Sequence, residues 1–171
     1  MKVCLDVDGV IVDIVAGINE KLTDLGLSDF DYAHWLVGGF DDDVRSSVFS
    51  DGLFWKNLKP LVSSWYAVND LWGRGFDVVL VSDRCSDVSC GGLLSWLDSW
   101  KFQYSDVVFC DVGGKLDVLL DCGAVFLVDD DPYELKSVVD GGGSGVLMRA
   151  WYNSQFWDDF VSVGSLLDLE V

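Results

Sequence analysis

Apolar residues recur along the chain with two different spacings, which predicts strands alternating with helices. Short apolar runs bounded by turn residues are typical of strands buried in a parallel sheet, whereas apolar residues three and four positions apart are typical of helices with one buried face. The predicted strands are 2–10, 76–81, 107–110, 124–128 and 146–149. The predicted helices are 11–25, 61–72, 91–102, 115–120, 133–139 and a closing helix at 156–167.

Residues 27–59 break this alternation. The segment is rich in aromatic residues and contains the acidic run 41–43. We expect a small helical cap, whose aromatic side chains either roof a pocket or form the core of the cap itself. Since no internal repeat or linker is evident, the chain is expected to be a single domain, 1–171, with the cap at about 14–60 and the core at 1–13 and 61–171. The predicted fold is therefore α/β, a three-layer, Rossmann-like parallel sheet of about five strands with a small helical cap inserted after the first strand.

Composition and charge restrict the partners of the chain. Its 171 residues, half of them hydrophobic, are enough for one domain with a substantial core. The formal net charge of −18 argues against binding of a nucleic-acid polymer, although a small anion needs only a local cluster of positive charge or a metal ion. No apolar run approaches the roughly 20 residues that cross a bilayer, and five cysteines without a secretory signal favour a reducing compartment. We therefore expect a cytoplasmic protein without membrane association, with a homodimer as one open alternative for its oligomeric state.

Two carboxylates stand at the end of the first predicted strand. Asp6 and Asp8 are two residues apart, so an extended chain places both side chains on one face, and Gly9 allows a sharp turn behind them. Crowded carboxylates repel each other, and a divalent cation such as Mg²⁺ offsets that repulsion. The alternative is a solvated strand end, and acids at the ends of later strands would favour the cation.

Acids do recur at the end of the fourth predicted strand. Asp129, Asp130 and Asp131 follow residues 124–128, and Pro132 begins the next helix. In an open parallel sheet the carboxyl ends of the strands form the edge where ligands bind. The recurrence favours a cation site at this edge.

Two groups suited to a phosphate follow the second and third predicted strands. Ser82-Asp83-Arg84 ends the second strand, where the Ser82 hydroxyl, the following backbone N–H groups and Arg84 are suited to phosphate oxygens. The alternative is that Ser82 only caps the next helix. Lys115 opens a helix, where the macrodipole disfavours a positive charge, and this favours a role as an anion ligand.

These signals occur in one order along the chain: Asp6-x-Asp8-Gly9-Val10, Ser82, Lys115 and Asp129-Asp130. In that order they resemble the motifs of the haloacid dehalogenase superfamily of phosphatases over almost the whole chain. Within the superfamily, the chain looks most like the 5′(3′)-deoxyribonucleotidase family. The segments that carry this closer resemblance are 54–60, 128–132, 151–153 and 156–160.

The resemblance implies hydrolysis of a nucleoside 5′-monophosphate, with a deoxyribonucleotide favoured. It implies that Asp6 attacks phosphorus to form an aspartyl-phosphate, while Asp8 protonates the leaving oxygen and then activates water. It also implies that Ser82 and Lys115 neutralise the phosphoryl oxygens. Asp83 and Arg84 are assigned to the same phosphate site from their position beside Ser82, although Asp83 departs from the family pattern by placing a negative charge there. The Mg²⁺ ligands it implies are Asp6, the backbone carbonyl of Asp8, Asp129 and, nearby or through a water, Asp130.

The resemblance leaves the substrate open. Ile14 stands where these nucleotidases often place an aromatic residue against the base. Four aromatic residues of the predicted cap are candidates to replace that surface: Trp35, Phe40, Phe54 and Trp55. Two alternatives to a nucleotidase also stay open, a phosphatase of another small phosphomonoester such as a sugar phosphate, and a catalytically silent relative that binds a nucleotide or a partner protein.

Overall fold

Strands and helices alternate along the chain as the sequence predicts. The computed structural model describes residues 1–27, 42–84 and 87–170. Its strands are β1 (Lys2–Asp6), β2 (Asp77–Ser82), β3 (Asp106–Phe109), β4 (Leu127–Asp129), β5 (Gly145–Met148) and β6 (Ser162–Val163). Its α-helices are α1 (Ile14–Asp24), α2 (Asp42–Phe49), α3 (Gly52–Asn57), α4 (Ser64–Gly73), α5 (Asp87–Trp100), α6 (Lys115–Cys122) and α7 (Pro132–Asp140). None of the helices in these ranges is both long and apolar enough to cross a membrane.

The strands form one parallel sheet in the order β3-β2-β1-β4-β5-β6. The chain builds the sheet outward from β1 to β3 and then returns to the other side of β1 to add β4, β5 and β6. The strand order therefore reverses between β1 and β4, which is where open α/β sheets bind ligands. The predicted α/β class, with a Rossmann-like parallel sheet, is confirmed.

Side chains of the central strands point alternately to the two faces of the sheet, as the period of two in an extended chain requires. One face carries Val3, Leu5, Val78 and Leu80 and packs against α1, α4 and α5. The other carries Cys4, Val79, Val81 and Leu127 and packs against α6 and α7. Both faces are therefore covered by helices, which makes three layers.

Helices α1, α2 and α3 lie in the segment predicted to be a cap. Phe54 and Trp55 of α3 are buried in the same apolar cluster as Leu93 and Trp96 of α5. The two helices approach closely at Gly92, where an added Cβ would lie 2.5 Å from the Cβ of Trp55. The division into a cap at about 14–60 and a core stays a prediction.

The prediction of a closing helix at 156–167 is wrong. The chain instead forms a 3₁₀ turn at Trp151–Phe156, the short strand β6 and a 3₁₀ turn at Leu166–Asp168. The N–H groups of Leu147 and Arg149, on and beside β5, donate to the carbonyls of Val161 and Val163, both at 2.8 Å. This pairing satisfies backbone groups that an uncovered β5 would expose, and β-branched valines favour an extended chain. It also adds a sixth strand to the five expected.

Candidate active site

Carboxylates from two adjacent strands meet at the carboxyl edge of the sheet. The register of β1 and β4 pairs Leu5 with Val128, so the next residues along, Asp6 and Asp129, lie level with each other. Both are buried, with relative exposures of 4% and 0%. One carboxylate oxygen from each of Asp6, Asp129 and Asp130 lies within 4.8 Å of the other two. The structure thus brings together three of the four acids that the sequence assigned to a cation.

The donor set of these acids fits Mg²⁺. Carboxylate oxygens are the hard ligands that Mg²⁺ takes, and three converging carboxylates give the negative charge that a divalent ion offsets. The backbone N–H of Asp131 donates to Asp129 Oδ1 at 3.0 Å, which orients that carboxylate. The carboxylate of Asp8 is not in this group, which leaves its backbone carbonyl as the ligand that the resemblance implies.

Lys115, at the start of α6, binds the acids at the ends of both strands. Its Nζ donates to Asp6 Oδ1 at 2.6 Å and to Asp129 Oδ2 at 2.8 Å, and the side chain is buried. Burial alone lowers the pKa of Lys115, but Asp129 and Asp6 more than offset this effect and leave the pKa above its ordinary value. The ammonium group therefore stays charged beside Asp6, as the role predicted for Lys115 requires.

The crowding of acids favours bound protons or cations. Burial raises the pKa of Asp6 well above its ordinary value; Lys115 opposes this shift and Asp129 adds to it. Burial, and then the charge of Asp129, raise the pKa of Asp130 to about 8. Since a metal ion competes with these protons for the same oxygens, binding of Mg²⁺ is expected to release protons.

Asp8 is held by Arg84 rather than by the acidic cluster. Arg84 Nε donates to Asp8 Oδ2 at 2.8 Å and Nη2 donates to Asp8 Oδ1 at 2.7 Å, so the guanidinium group binds both carboxylate oxygens. The side chain of Arg84 is 3% exposed and that of Asp8 is 22% exposed. The predicted binding of phosphate by Arg84 stays a prediction, and two of its N–H groups are engaged by Asp8.

Ser82 and Asp83 follow β2 beside these groups. The register of β1 and β2 pairs Asp6 with Val81, which places Ser82 one residue beyond, and Ser82 Oγ accepts the backbone N–H of Arg84 at 3.3 Å. Asp83 is half-buried, and this burial raises its pKa, with Lys115 opposing the shift and Asp8 adding to it. Its carboxyl group therefore holds a proton more tightly than that of an exposed aspartate does.

Tyr152 and Asn153 surround Asp130, a role that sequence reasoning missed. The Tyr152 hydroxyl donates to Asp130 Oδ2. The buried side chain of Asn153 bonds to Asp130 O, Met148 O, the Ala150 N–H and the Trp157 Nε1–H, at 2.8–2.9 Å. The sequence signal for this role is the segment 151–153, just after the fifth predicted strand. It was noted only as part of the resemblance to 5′(3′)-deoxyribonucleotidases.

The predicted pocket residues are only partly brought together. Ile14 is buried and lines a cavity of about 550 Å³, together with Gly9, Tyr152 and the start of α4. Phe54 and Trp55 do not line this cavity and pack as core residues, so their contact with a substrate stays a prediction. Trp35 and Phe40 lie outside the described residues.

Solved structures share this architecture, whereas no protein-family model and no curated protein matches the chain. A haloacid dehalogenase-like family hydrolase from Streptococcus pneumoniae superposes with a TM-score of 0.61 at 9% identity, over 98% of this chain and 95% of that one. The D,D-heptose 1.7-bisphosphate phosphatase from B. bronchiseptica, complexed with magnesium and phosphate, gives 0.59 at 13% identity, over 97% and 94%. The fold is that of haloacid dehalogenase-like hydrolases.

Haloacid dehalogenase-like structures that match this chain differ in the chemistry that their names describe. An L-2-haloacid dehalogenase superposes with a TM-score of 0.65 at 15% identity, over 98% of this chain and 96% of that one. At such identities the likeness shows the haloacid dehalogenase-like fold alone. The closer resemblance to 5′(3′)-deoxyribonucleotidases stays a prediction.

Proposed function

We propose that this protein is a Mg²⁺-dependent phosphomonoesterase that hydrolyses a nucleoside 5′-monophosphate through an aspartyl-phosphate on Asp6. The observation that carries the proposal is the position of Asp6, which accepts a hydrogen bond from Lys115 and has a carboxylate oxygen within 4.8 Å of oxygens of Asp129 and Asp130. Asp8, the second acid of the motif, lies two residues further on and is 22% exposed at its side chain. A nucleophile, a cation site and an acid/base group therefore share one edge of the sheet.

The cation would be held by the carboxylates of Asp6, Asp129 and Asp130 and by the backbone carbonyl of Asp8. Bound Mg²⁺ supplies positive charge that offsets both the acids and the phosphoryl oxygens. Tyr152 and Asn153 hold Asp130 at its side chain and its carbonyl, so this ligand is oriented before any ion binds.

Two transfers of the phosphoryl group complete the reaction. In the first, a carboxylate oxygen of Asp6 bonds to phosphorus while the ester P–O bond breaks, and Asp8 gives its proton to the leaving oxygen. In the second, Asp8 takes a proton from a water molecule, whose oxygen bonds to phosphorus as the bond to Asp6 breaks. The ammonium group of Lys115 and the hydroxyl of Ser82 stabilise the charge on the phosphoryl oxygens in both steps.

The charge of the site favours a phosphatase over a dehalogenase, although both kinds of protein have this fold. Phosphoryl transfer spreads charge over three oxygens, and its catalysis rests on positioning and on electrostatic stabilisation. The site offers a buried Lys115 and a cluster of acids suited to a divalent cation. A haloacid carries only one carboxylate and a carbon–halogen bond, so its dehalogenation depends less on a buried lysine or on a divalent cation.

A panel of substrates tests the proposal. We expect phosphate release from deoxyribonucleoside and ribonucleoside 5′-monophosphates with Mg²⁺, little release from sugar phosphates that lack the base, no halide release from an L-2-haloacid, and loss of turnover with a chelator. Asp6→Asn should lower turnover by about 10⁴-fold or more because it removes the nucleophile. Asp24→Asn, at the exposed end of α1, is the matched control and should keep full turnover.

Each of the other outcomes names a different function. Equal turnover of sugar phosphates would make the protein a general small-phosphomonoester phosphatase. Nucleotide binding without turnover of any phosphomonoester, including an aryl phosphate, would make it a silent relative. Retained turnover in Asp6→Asn would overturn the assignment of the nucleophile.

A further inference from the structure

We infer that Arg84 is a positioning residue for Asp8 and that Trp55 of α3 holds Arg84 in place. This inference rests on the proposed function, in which Asp8 is the acid and base. The inference gives Arg84 a role that differs from the phosphate binding predicted from the sequence. It also connects α3, in the predicted cap, to the chemistry at the end of β1.

The contact between Arg84 and Asp8 fixes the plane of the carboxylate. Both carboxylate oxygens accept an N–H from the same guanidinium group, at 2.8 and 2.7 Å. Two parallel hydrogen bonds from a rigid fork define an orientation, which a single contact with an ammonium group does not. Arg84 thus binds Asp8, whereas Lys115 binds Asp6 and Asp129.

Arg84 is itself held by an aromatic ring. Its guanidinium carbon lies 4.3 Å from the centroid of the Trp55 ring, within the range of a cation–π contact. The Trp55 ring is fixed in turn by Phe49. Trp55 Nε1 donates to Phe49 O at 2.9 Å, and the two rings stack with their centroids 5.5 Å apart. A continuous series of contacts therefore runs from Phe49 through Trp55 and Arg84 to Asp8.

Gly92 of α5 allows Trp55 to take this position. An added Cβ would lie 2.5 Å from Trp55 Cβ, closer than side-chain carbons approach each other, and 3.1 Å from Trp55 Cγ. The neighbouring Gly91 has nothing within 4 Å of its own added Cβ. The close approach of α3 therefore requires a glycine at position 92 but not at position 91.

The contact orients Asp8 for both of its proposed tasks. The carboxyl group that faces the leaving oxygen in the first step must face the attacking water in the second, and the two N–H groups of Arg84 fix the plane in which it lies. Arg84 therefore aims this group without touching the substrate.

The test compares two leaving groups in single-turnover experiments at saturating Mg²⁺. The alkoxide released from a nucleoside 5′-monophosphate needs a proton, whereas the phenolate released from 2,4-dinitrophenyl phosphate does not. Arg84→Met should lower transfer from the nucleotide by about 10²-fold, the lower end of what general acid catalysis contributes, and transfer from the aryl phosphate by less than about 10-fold, with KM nearly unchanged. Arg84→Lys should restore only part of the rate, because an ammonium group lacks the fork.

Variants at Trp55 and Arg74 complete the experiment. Trp55→Phe keeps a ring beneath the guanidinium group and should keep most of the rate, whereas Trp55→Leu should show the same leaving-group selectivity as Arg84→Met with a loss of about 10-fold. Arg74→Met is the matched control, since Arg74 also lies over a ring, that of Phe76, and beside an aspartate, Asp70, but far from the site in the fold. It should change neither rate. Circular dichroism confirms that each variant is folded.

Failure of this inference differs from failure of the proposed function. Equal losses of both substrates in Arg84→Met, with a raised KM, would show that Arg84 binds phosphate and would overturn the positioning role alone. A loss in Trp55→Phe as large as in Trp55→Leu would remove the ring contact from the inference. A wild-type protein that transfers phosphate from neither substrate would overturn the proposed function and the inference together.

Discussion

Gly9 occupies the turn directly after Asp6, the last residue of β1, and Asp8, and two requirements meet at this position. Its φ of +83° is in the left-handed region that favours glycine. An added Cβ would also lie 2.1 Å from Asp130 Oδ2. The residue therefore sets both the direction of the chain and the distance between the first acidic motif and the last.

Replacement of Gly9 by alanine should affect the cation site more than the backbone strain alone explains. Strain from the positive φ is about 1–2 kcal/mol, and the overlap with Asp130 adds about 1–3 kcal/mol. Gly75→Ala is the matched control, because Gly75 has a φ of +86° and nothing within 4 Å of an added Cβ. Urea unfolding in metal-free buffer should show the larger loss for Gly9→Ala, and only that variant should lose part of the rise in Tm caused by Mg²⁺. Equal effects in the two variants would contradict the role of close approach.

Glu134 connects two elements of the site. It lies in the first turn of α7, and its Oε1 accepts the backbone N–H of Gly113, in the loop that leads to Lys115. Its Oε2 is buried without a hydrogen-bond partner among the described residues. Burial raises the pKa of Glu134 above its ordinary value, although the bond from Gly113 opposes this shift.

The pH dependence of stability should report this carboxyl group. A raised pKa means that the folded chain holds the proton more tightly than the unfolded chain. The contribution of Glu134 to the free energy of unfolding is therefore present below the ordinary glutamate pKa and is lost as pH rises through the raised value. Glu134→Gln keeps the acceptor for Gly113 and removes the titration. Its Tm should therefore fall less than that of the wild type between pH 5 and pH 8. In a chain of this size, each kcal/mol of difference in the free energy of unfolding shifts Tm by about 2–4 °C. Glu20→Gln, on the exposed face of α1, should follow the wild type, and parallel curves for all three proteins would contradict the expectation.

Elements with their own local signal could be predicted from the sequence, and those that depend on a distant partner could not. Strands β1 and β2 are continuous apolar runs, and Pro132 marks the first turn of α7. Strand β6 forms because the outer edge of β5 offers unpaired backbone groups. The spacing of apolar residues at 156–167 gives no information about that edge. The contacts of Tyr152 with Asp130 and of Arg84 with Asp8 likewise join residues 22 and 76 positions apart.

The acids of the site were easier to predict than the residues that position them. Asp6, Lys115 and Asp129 each stand at the end of a strand or the start of a helix, so their convergence follows from the parallel order of the sheet. The ring of Trp55 beneath Arg84 depends on how α3 packs on α5, which only the tertiary structure gives.

At the scale of the whole molecule, Lys115 joins parts of the chain that lie 109 residues apart. It belongs to α6 but binds the ends of β1 and β4, the two strands at which the sheet reverses its order. Loss of its charge would leave two buried carboxylates facing each other.

Lys115→Met should therefore be destabilised in a way that Mg²⁺ partly corrects. Removal of one partner from a buried ion pair costs about 3–5 kcal/mol, and a divalent cation at the same oxygens offsets part of that cost. Lys136→Met is the matched control, since Lys136 pairs with Asp140 on the exposed face of α7 and should lose at most about 0.5 kcal/mol. Unfolding by urea with and without Mg²⁺ measures both, and a Mg²⁺ effect no larger in Lys115→Met than in the wild type would contradict this account. Turnover should stay low even with Mg²⁺, because the ammonium group is missing from the phosphoryl oxygens.

The pairing of Lys115 and Arg84 with the acids has a consequence for the order in which ligands arrive. When Asp6, Asp8, Asp129 and Asp130 are all ionised, the two basic side chains leave a surplus of two negative charges. A divalent ion displaces the protons that Asp6 and Asp130 hold and offsets that surplus, whereas a dianionic ester that arrives first meets these acids together with Asp83 and Asp131 beside them. Occupancy by the ion is therefore the natural prerequisite for substrate capture, and the local pattern explains how so acidic a chain can accept an anion.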